Sequence, residues 1–375
     1  MRCEGLLAGP RCALLLGLAM ILPVAVFAQN AHDTAKVRPW YESISVDAFI
    51  STGYTYNLNR PDTMMNQFRV FDSGDNTFKV DVFELAIQKT VVKPADVGFR
   101  VDMTAGSSIP RVARSAGFEV GDLDFHQAFL SYIAPLGKGV RLDFGKFITS
   151  MGYEVIEGYD GYNDNYSRSF LFGYAIPYTH TGLKASYAFN ENVSALLMIV
   201  NGWDNSIDNN TSKSVCGQIG ASPLTGMNLF ATYMYGPEKA NNNSDNRGLL
   251  DVVGTCAVNT AVTVGMNADF ADEQHSAAGG GNATWMGLAG YLRVNLLDEF
   301  SVSLRAEQFE DKDGIRTGVV QKLREVTITP EYRPAEHLVL RGDLRLDSSD
   351  RDVFQKGSGW SDSQPTVSLN FICAF

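Results

Sequence analysis

The 375-residue chain contains 45% hydrophobic residues, only 19% charged residues, and abundant Gly (35), Phe (22) and Tyr (15). This charged fraction is below the value of about 25% that is average for soluble chains. A mean hydropathy of −0.08 excludes a bundle of many membrane-spanning helices. Aromatic and branched residues are too frequent for a disordered chain. The formal net charge of −11 argues against a nucleic-acid partner. We therefore expect an all-β protein.

The first 28 residues have the features of a secretory signal peptide. Arg2 and Arg11 give a positive start, and residues 13–28 are apolar and end in Val-Phe-Ala. Pro23 and the polar sequence that follows argue against a membrane anchor, and no later run of 18 apolar residues could form a transmembrane helix. We expect residues 29–43 to form a periplasmic N-terminal segment and residues 44–375 to form one domain.

From residue 44 onward, segments of about ten residues alternate apolar with polar or small side chains, which is the period of a strand with one apolar face. The segment 338–347 is the clearest example. The segment 78–90 shifts its parity, which indicates either a β-bulge or a strand with contacts on both faces. Residues 195–200 are apolar at every position. About 16 such segments are present, with a range of 14–18. They are residues 44–56, 77–89, 97–106, 124–134, 139–150, 178–189, 192–202, 213–223, 227–236, 247–257, 260–271, 283–295, 299–310, 321–333, 337–347 and 365–375.

The connections between these segments alternate in length. Short turns, such as residues 93–96, 136–139 and 297–299, take turns with polar loops of about ten residues or more. In a transmembrane antiparallel β-barrel, short turns face the periplasm, longer loops face outside, and the strand number is even. Closing the sheet also leaves no unpaired edge in lipid. The terminal Phe375 and the aromatic residues at strand ends fit such a barrel.

Several motifs are similar to those of the OmpL-like β-barrel porins of bacterial outer membranes. They are residues 145–147, 151–154, 165–169, 172–173, 176–182, 201–204, 305–307, 311–314 and 341–345. The resemblance covers nearly the whole mature chain and is most specific over residues 145–205. It implies a channel for small hydrophilic solutes or ions, surrounded by outer-membrane lipid and lipopolysaccharide. It implies no cofactor, and we include a homotrimer among the expected assemblies.

A barrel of about 16 strands is wide enough to hold an aqueous lumen. Charged residues of both signs fall on the faces that should point inward, since such groups facing lipid would cost up to ~2–4 kcal/mol each near the midplane. The alternative is that paired charges stiffen the wall. The expected pore-lining residues are Arg100, Asp102, Arg141, Asp143, Arg305, Glu307, Arg341, Asp343, Arg345 and Asp347.

The longest loop, residues 151–177, is the third external one. It combines four acidic residues with four tyrosines, which favours packing against another surface over exposure to solvent. By analogy with general porins, we expect it to lie across the lumen opposite arginines of the wall and to favour cations. The alternative is an exposed loop that contacts other subunits or lipopolysaccharide. The acidic residues of this constriction loop are Glu154, Glu157, Asp160 and Asp164, and the facing arginines are Arg141, Arg305, Arg341 and Arg345.

Two other classes of function stay open at this point. A lipid-hydrolysing barrel would need a nucleophile beside His126 or His180, but no Gly-x-Ser-x-Gly element is present, so we predict no catalytic residue. A structural or adhesive barrel would act through its outer loops, which are short for binding domains.

Metal and disulfide sites are weakly indicated. Residues 204–210 are rich in oxygen donors and could form either a turn or a cation site. No spacing typical of metal ligands occurs, so no metal is predicted. Cys216, Cys256 and Cys373 are expected to be free, although a disulfide stays open.

Overall fold

The structure, a computed structural model, describes residues 40–109 and 123–375. The signal peptide and most of the predicted N-terminal segment lie outside these residues. The strands are β1 (Ser45–Asn57), β2 (Thr77–Lys89), β3 (Val97–Ala105), β4 (Leu123–Ala134), β5 (Val140–Ile148), β6 (Thr179–Ala188), β7 (Val193–Val200), β8 (Ser214–Ala221), β9 (Met227–Pro237), β10 (Asn246–Ala257), β11 (Val262–Glu273), β12 (Ala283–Asn295), β13 (Phe300–Asp311), β14 (Gln321–Ala335), β15 (Leu338–Ser349), β16 (Phe354–Lys356), β17 (Gly359–Ser361) and β18 (Ser363–Ala374).

Within the described residues, sixteen of these strands form a closed antiparallel barrel. Each strand pairs with its neighbours in sequence, and β18 closes the ring by pairing with both β15 and β1. The short strands β16 and β17 form a separate hairpin in the last loop. The predicted fold class and strand number are confirmed, and each barrel strand begins and ends within two residues of its predicted position.

The alternating sequence pattern becomes an inner and an outer face of the wall. In β15, Arg345 and Asp347 on the inner face are buried, whereas Leu344 and Leu346 on the outer face are 55% and 51% exposed. Successive side chains of a strand point to opposite faces of the sheet. The exposed leucines therefore belong to the apolar band that faces lipid in a barrel of this kind.

Long and short connections lie at opposite ends of the barrel, here called the loop end and the turn end. The longest connection at the loop end is the third loop, L3 (residues 149–178), between β5 and β6. It contains a π-helical turn over Leu171–Ala175. Among residues 40–109 and 123–375, no helix is long and apolar enough to cross a membrane.

Of the two interpretations of the parity shift in the second strand, the structure has the bulge. Ser51 of β1 pairs with Val82, but the next residue, Thr52, pairs with Val80, so Asp81 is an extra residue in β2. A bulge of this kind reverses the order of inward and outward positions along the strand. It explains why the sequence pattern changes parity there.

Candidate functional site

L3 crosses the interior of the barrel. The backbone N–H of Gly152 donates to Asp251 on β10 at 3.2 Å, and the backbone N–H of Tyr159 donates to Glu84 on β2 at 2.5 Å. In the ring of sixteen strands, β10 and β2 are eight strands apart in either direction, so they lie on opposite walls. The loop therefore passes from one wall to the other within these few residues.

The four acidic residues expected in the loop each meet an arginine of the wall. All four of these arginines are carried by barrel strands, on β3, β12, β13 and β15. The ion pairs are Glu154–Arg305 (2.7 Å), Glu157–Arg341 (2.9 Å), Asp160–Arg100 (2.7 Å) and Asp164–Arg293 (2.7 Å). Each of the four acidic side chains of the loop therefore has a partner of opposite charge on the wall.

Arg305 is the most buried of these arginines, with no exposed surface. Its Nη1 lies 2.7 Å from Glu154 and donates to the carbonyl of Ser167 at 2.6 Å, while its Nε lies 2.5 Å from Glu325 on β14. Charge-assisted hydrogen bonds of this type are stronger than neutral ones. Arg305 thus ties L3 to two adjacent strands.

Glu157 is held by two arginines, one from the wall and one from L3 itself. Burial alone would raise the pKa of its carboxyl, but the nearby guanidinium groups of Arg168 and Arg341 lower this pKa below its ordinary value. Nearby positive charge favours the ionised form of a carboxyl group. Glu157 therefore stays charged and keeps the loop attached to β15.

Wall carboxylates also bind the backbone of L3. Asp343 accepts hydrogen bonds from the N–H groups of Tyr166 and Ser167 at 3.2 and 2.7 Å, and Glu307 accepts from Phe170 and Leu171 at 2.5 and 3.0 Å. An irregular segment inside a protein needs such partners because its backbone polar groups are not paired in a ladder. These two expected pore-lining residues thus position the loop.

The remaining expected residues differ in what they contact. Arg345 donates to the carbonyl of Arg168 in L3 and to Asp347. Arg100 pairs with Asp102 on its own strand as well as with the loop. Arg141 was expected to lie opposite the acidic residues of L3. Its side chain is instead 43% exposed and pairs with Asp143.

The interior also holds arginines that were not among the expected residues, for example Arg293 and Arg69. Arg293 on β12 pairs with Asp164 and with Glu331 at 2.7 Å. Arg69 comes from the first loop, L1 (residues 58–76), and contacts Asp347 at 2.7 Å. The alternation along β12 would have placed Arg293 inward, whereas nothing in the local pattern indicates that L1 folds into the barrel.

The last part of L3, residues 170–178, is apolar and packs against the loop end of the wall. We call residues 152–167 the polar segment of L3 and residues 170–178 its apolar segment. The indole Nε1 of Trp285 donates to the carbonyl of Ala175 at 3.1 Å. The wall side chains in this apolar cluster include Phe147, Met198, Met234, Leu249, Trp285, Phe309 and Leu323, each at most 2% exposed.

The end of L3 is fixed by buried polar groups. Asp204 accepts hydrogen bonds from the N–H groups of Tyr178 and Thr179 at 2.6 and 2.9 Å, and burial raises the pKa of its carboxyl to about 6. His180 is buried, and its ring nitrogens each lie 3.2 Å from an oxygen, one of Gly202 and one of Thr149. His180 is therefore a hydrogen-bonded interior histidine.

The weakly indicated sites can also be located. Within residues 40–109 and 123–375, no group of three or more His, Cys, Asp or Glu side chains is arranged to hold a metal ion. Asp204, the first residue of the oxygen-rich loop, is instead an acceptor for L3. Cys216, Cys256 and Cys373 are free thiols.

A chamber of about 480 Å³ lies on the turn side of L3, against β8–β12. Tyr153 of the polar segment stacks on Tyr291 of β12, with ring centroids 3.9 Å apart and planes inclined by 16°. The other lining residues are Ser150, Gly152, Glu154, Val155, Tyr162, Asn163, Asp164, Asn165, Gln218, Phe230, Val253 and Thr255. Residues of the polar segment therefore form one side of this chamber.

A closed sixteen-strand antiparallel barrel with an apolar outer band and a charged inner face has the architecture of an outer-membrane porin. Solved structures of this class have the same fold. The outer membrane channel DcaP of Acinetobacter baumannii is 11% identical, with a TM-score of 0.60 over 88% of this chain and 97% of that one. An anion-selective porin from Comamonas acidovorans is 11% identical, with a TM-score of 0.59 over 89% and 99%. The trimer form of OmpT from Vibrio cholerae is 12% identical, with a TM-score of 0.57 over 88% and 99%.

The amino-acid sequence assigns the protein to a family. The model of the family described as "Putative beta-barrel porin-2, OmpL-like" matches residues 43–375, so the protein belongs to this family of outer-membrane porins. The expected family and the outer-membrane location are thereby confirmed. A comparison with curated proteins finds no match.

Proposed function

We propose that the protein is a passive diffusion channel for small hydrophilic solutes, and that L3 narrows its lumen. The supporting observation is the pair of anchors on opposite walls, Gly152 on Asp251 and Tyr159 on Glu84. A segment held at both ends across the interior limits the size of solutes that pass beside it. Movement is down a concentration gradient and needs no cofactor or catalytic step.

The charges around L3 favour a weak preference for cations. Each acidic side chain of the polar segment is within ion-pair distance of an arginine. Three of these four arginines also pair with a carboxylate of the wall, so carboxylates outnumber arginines around the loop. Paired charges on two sides of a passage still create a field across it. Such a field orients dipolar solutes. The inward charges would then orient solutes in addition to lining the pore, the role predicted for them.

The outer surface supports a proposal about partners. Phe78, Val80 and Phe83 on β2 are 85%, 50% and 41% exposed, and this apolar surface suits contact with lipid, lipopolysaccharide or a second barrel. We propose a homotrimer, the assembly named for the OmpT structure above. Cross-linking in outer-membrane vesicles tests it, and a monomer as the largest cross-linked species would refute it.

Single-channel recording in planar bilayers tests the proposed function. The purified protein should give discrete conductance steps. Replacing Glu154, Glu157, Asp160 and Asp164 by the corresponding amides should raise anion preference, because the lumen loses four negative charges while its arginines remain. The double variant Asp160→Asn, Asp164→Asn changes the two more exposed carboxylates and should shift selectivity in the same direction with less risk to folding.

A matched control removes acidic charge elsewhere at the loop end. Asp352 and Asp362 are exposed residues of the eighth loop, so Asp352→Asn with Asp362→Asn should leave conductance and selectivity close to wild type. Unchanged conductance and selectivity in both L3 variants would show that L3 does not line the constriction. A barrel without conductance that hydrolyses phospholipid would contradict the channel and favour the enzyme class.

A further inference from the structure

We infer that the chamber beneath L3 is a binding site for a neutral, polyhydroxylated solute, that is, a sugar of one or two rings. This inference rests on the proposed channel, through which the solute would reach the chamber, and it specifies which solute class the channel favours. The chamber volume of about 480 Å³ lies within the range of ~300–1,000 Å³ found for small-molecule sites.

The first argument is the aromatic wall of the chamber. Tyr153 lies flat on Tyr291 and also covers Gly265, which is the direct strand partner of Tyr291. A side chain at Gly265 would collide with the Tyr153 ring, so glycine is what allows this close packing. Phe230 and Tyr162 line the same space. Fixed aromatic faces provide apolar surfaces of defined orientation, which suit the C–H faces of a sugar ring.

The second argument is unused hydrogen-bonding capacity in the chamber. Within the described part of the chain, the hydroxyl of Ser150 is buried without a hydrogen-bond partner. Burial raises the pKa of Tyr153 to about 12, so its phenol stays protonated and can donate. Thr255 adds another hydroxyl. Groups that both donate and accept match the hydroxyl groups of a sugar.

The third argument is charge. The two carboxylates of the lining, Glu154 and Asp164, each lie 2.7 Å from an arginine, Arg305 and Arg293 respectively. A charged solute would have to break one of these pairs or enter without a partner, and both alternatives are costly in a buried site. Asp164 is 27% exposed, so it can accept hydroxyl groups while it stays paired. The lining therefore favours a neutral polar solute.

Two measurements with glucose and maltose test the inference. In detergent, saturation-transfer NMR should detect both sugars on the wild-type protein. In planar bilayers, the same sugars should reduce the ion current in a saturable manner. Gluconate has a similar set of hydroxyl groups but carries a charge, so it should bind about tenfold more weakly, which corresponds to about 1.4 kcal/mol.

Substitutions at one tyrosine separate the ring from the hydroxyl group. Tyr153→Leu removes the aromatic face and should weaken sugar binding about tenfold, or about 1.4 kcal/mol, whereas Tyr153→Phe keeps the face and should weaken it less. The matched control is Tyr159→Leu, because Tyr159 is a half-exposed tyrosine of the same loop that does not line the chamber. It should bind sugars as the wild type does.

The results distinguish failure of this inference from failure of the proposed channel. Conductance steps without sugar signals in either measurement would overturn the sugar site and leave the channel intact. Sugar signals in NMR without conductance would overturn the channel and support the site. Equal weakening by Tyr153→Leu and Tyr159→Leu would place binding outside the chamber and overturn the inference.

Discussion

The two segments of L3 are attached to the wall by different physical means. The polar segment is held by ion pairs and by carboxylates that accept backbone N–H groups, mainly from β12–β15. The apolar segment is held by close packing against buried apolar side chains at the loop end of the wall. One loop thus matches two regions of wall with opposite chemistry.

This difference indicates which displacement of the loop is the more costly. Moving the polar segment leaves charged groups unpaired inside the barrel, and an isolated buried charge is strongly unfavourable. Moving the apolar segment exposes apolar surface at about 25 cal/mol per Å². We therefore expect the ionic attachments to give the largest single-residue effects, and the packed attachments to come next.

The largest effect is expected at Arg305. Arg305→Ala leaves Glu154 and Glu325 buried without their shared partner, so the free energy of unfolding should fall by about 3–5 kcal/mol. Urea unfolding in detergent, followed by tryptophan fluorescence, measures this. The matched control is Arg141→Ala, since the half-exposed Arg141 should contribute no more than about 1 kcal/mol.

A triple substitution tests why the loss of Arg305 destabilises the barrel. If the loss comes from the stranded carboxylates, replacing Arg305, Glu154 and Glu325 together by leucine should restore a large part of the stability, because buried ion pairs can be exchanged for apolar groups. A triple variant that is less stable than Arg305→Ala would show that the ion pairs themselves supply the stability.

The next effect is expected in the apolar segment. Leu171 is fully buried against the wall, and truncation of a buried leucine to alanine lowers stability by about 2–5 kcal/mol. Leu171→Ala should therefore destabilise the barrel, with channel recordings that show added current fluctuations from a looser loop. Leu136→Ala, in an exposed turn, is the control. Equal unfolding midpoints for the two variants would contradict the packing of L3 on the wall.

Much of the barrel can be predicted from sequence because its signals are local. Alternation along each strand identifies the inner face, so Arg305 and Arg341 are recognisable as interior residues. Their pairing with Glu154 and Glu157 depends on how L3 crosses the lumen, and no local pattern encodes that path. The prediction that L3 lies opposite these arginines therefore rested on analogy with general porins, because charges distant in sequence meet only in the folded barrel.

Two apolar runs in the sequence also indicate that a loop packs inside the barrel, although the predictions above did not use them. Residues 195–200 are apolar on both faces because Leu197 and Ile199 face outward while Met198 and Val200 pack inside. Residues 170–176 form an apolar run within a loop. An apolar loop and a strand with two apolar faces are complementary, and together they indicate a loop packed inside the barrel.

The smallest of the three effects is expected from a titratable group at the loop end. Glu238, directly after β9, accepts hydrogen bonds from the N–H of Trp203 and the hydroxyl of Ser214, both at 2.6 Å. Burial raises the pKa of its carboxyl to about 7. The folded protein therefore binds this proton more tightly than the unfolded chain does. Stability should fall as the pH rises from about 4.5 to 7, by up to about 3 kcal/mol.

Glu238→Gln isolates this contribution, because the amide keeps the hydrogen-bonding shape without the charge. The variant should match the wild type near pH 5 and exceed its stability at pH 8, as measured by urea unfolding at both values. Asp204, whose pKa burial raises to about 6, should keep part of the pH dependence in that variant. An unchanged pH profile in Glu238→Gln would show that this carboxyl ionises in the folded protein at no cost in stability.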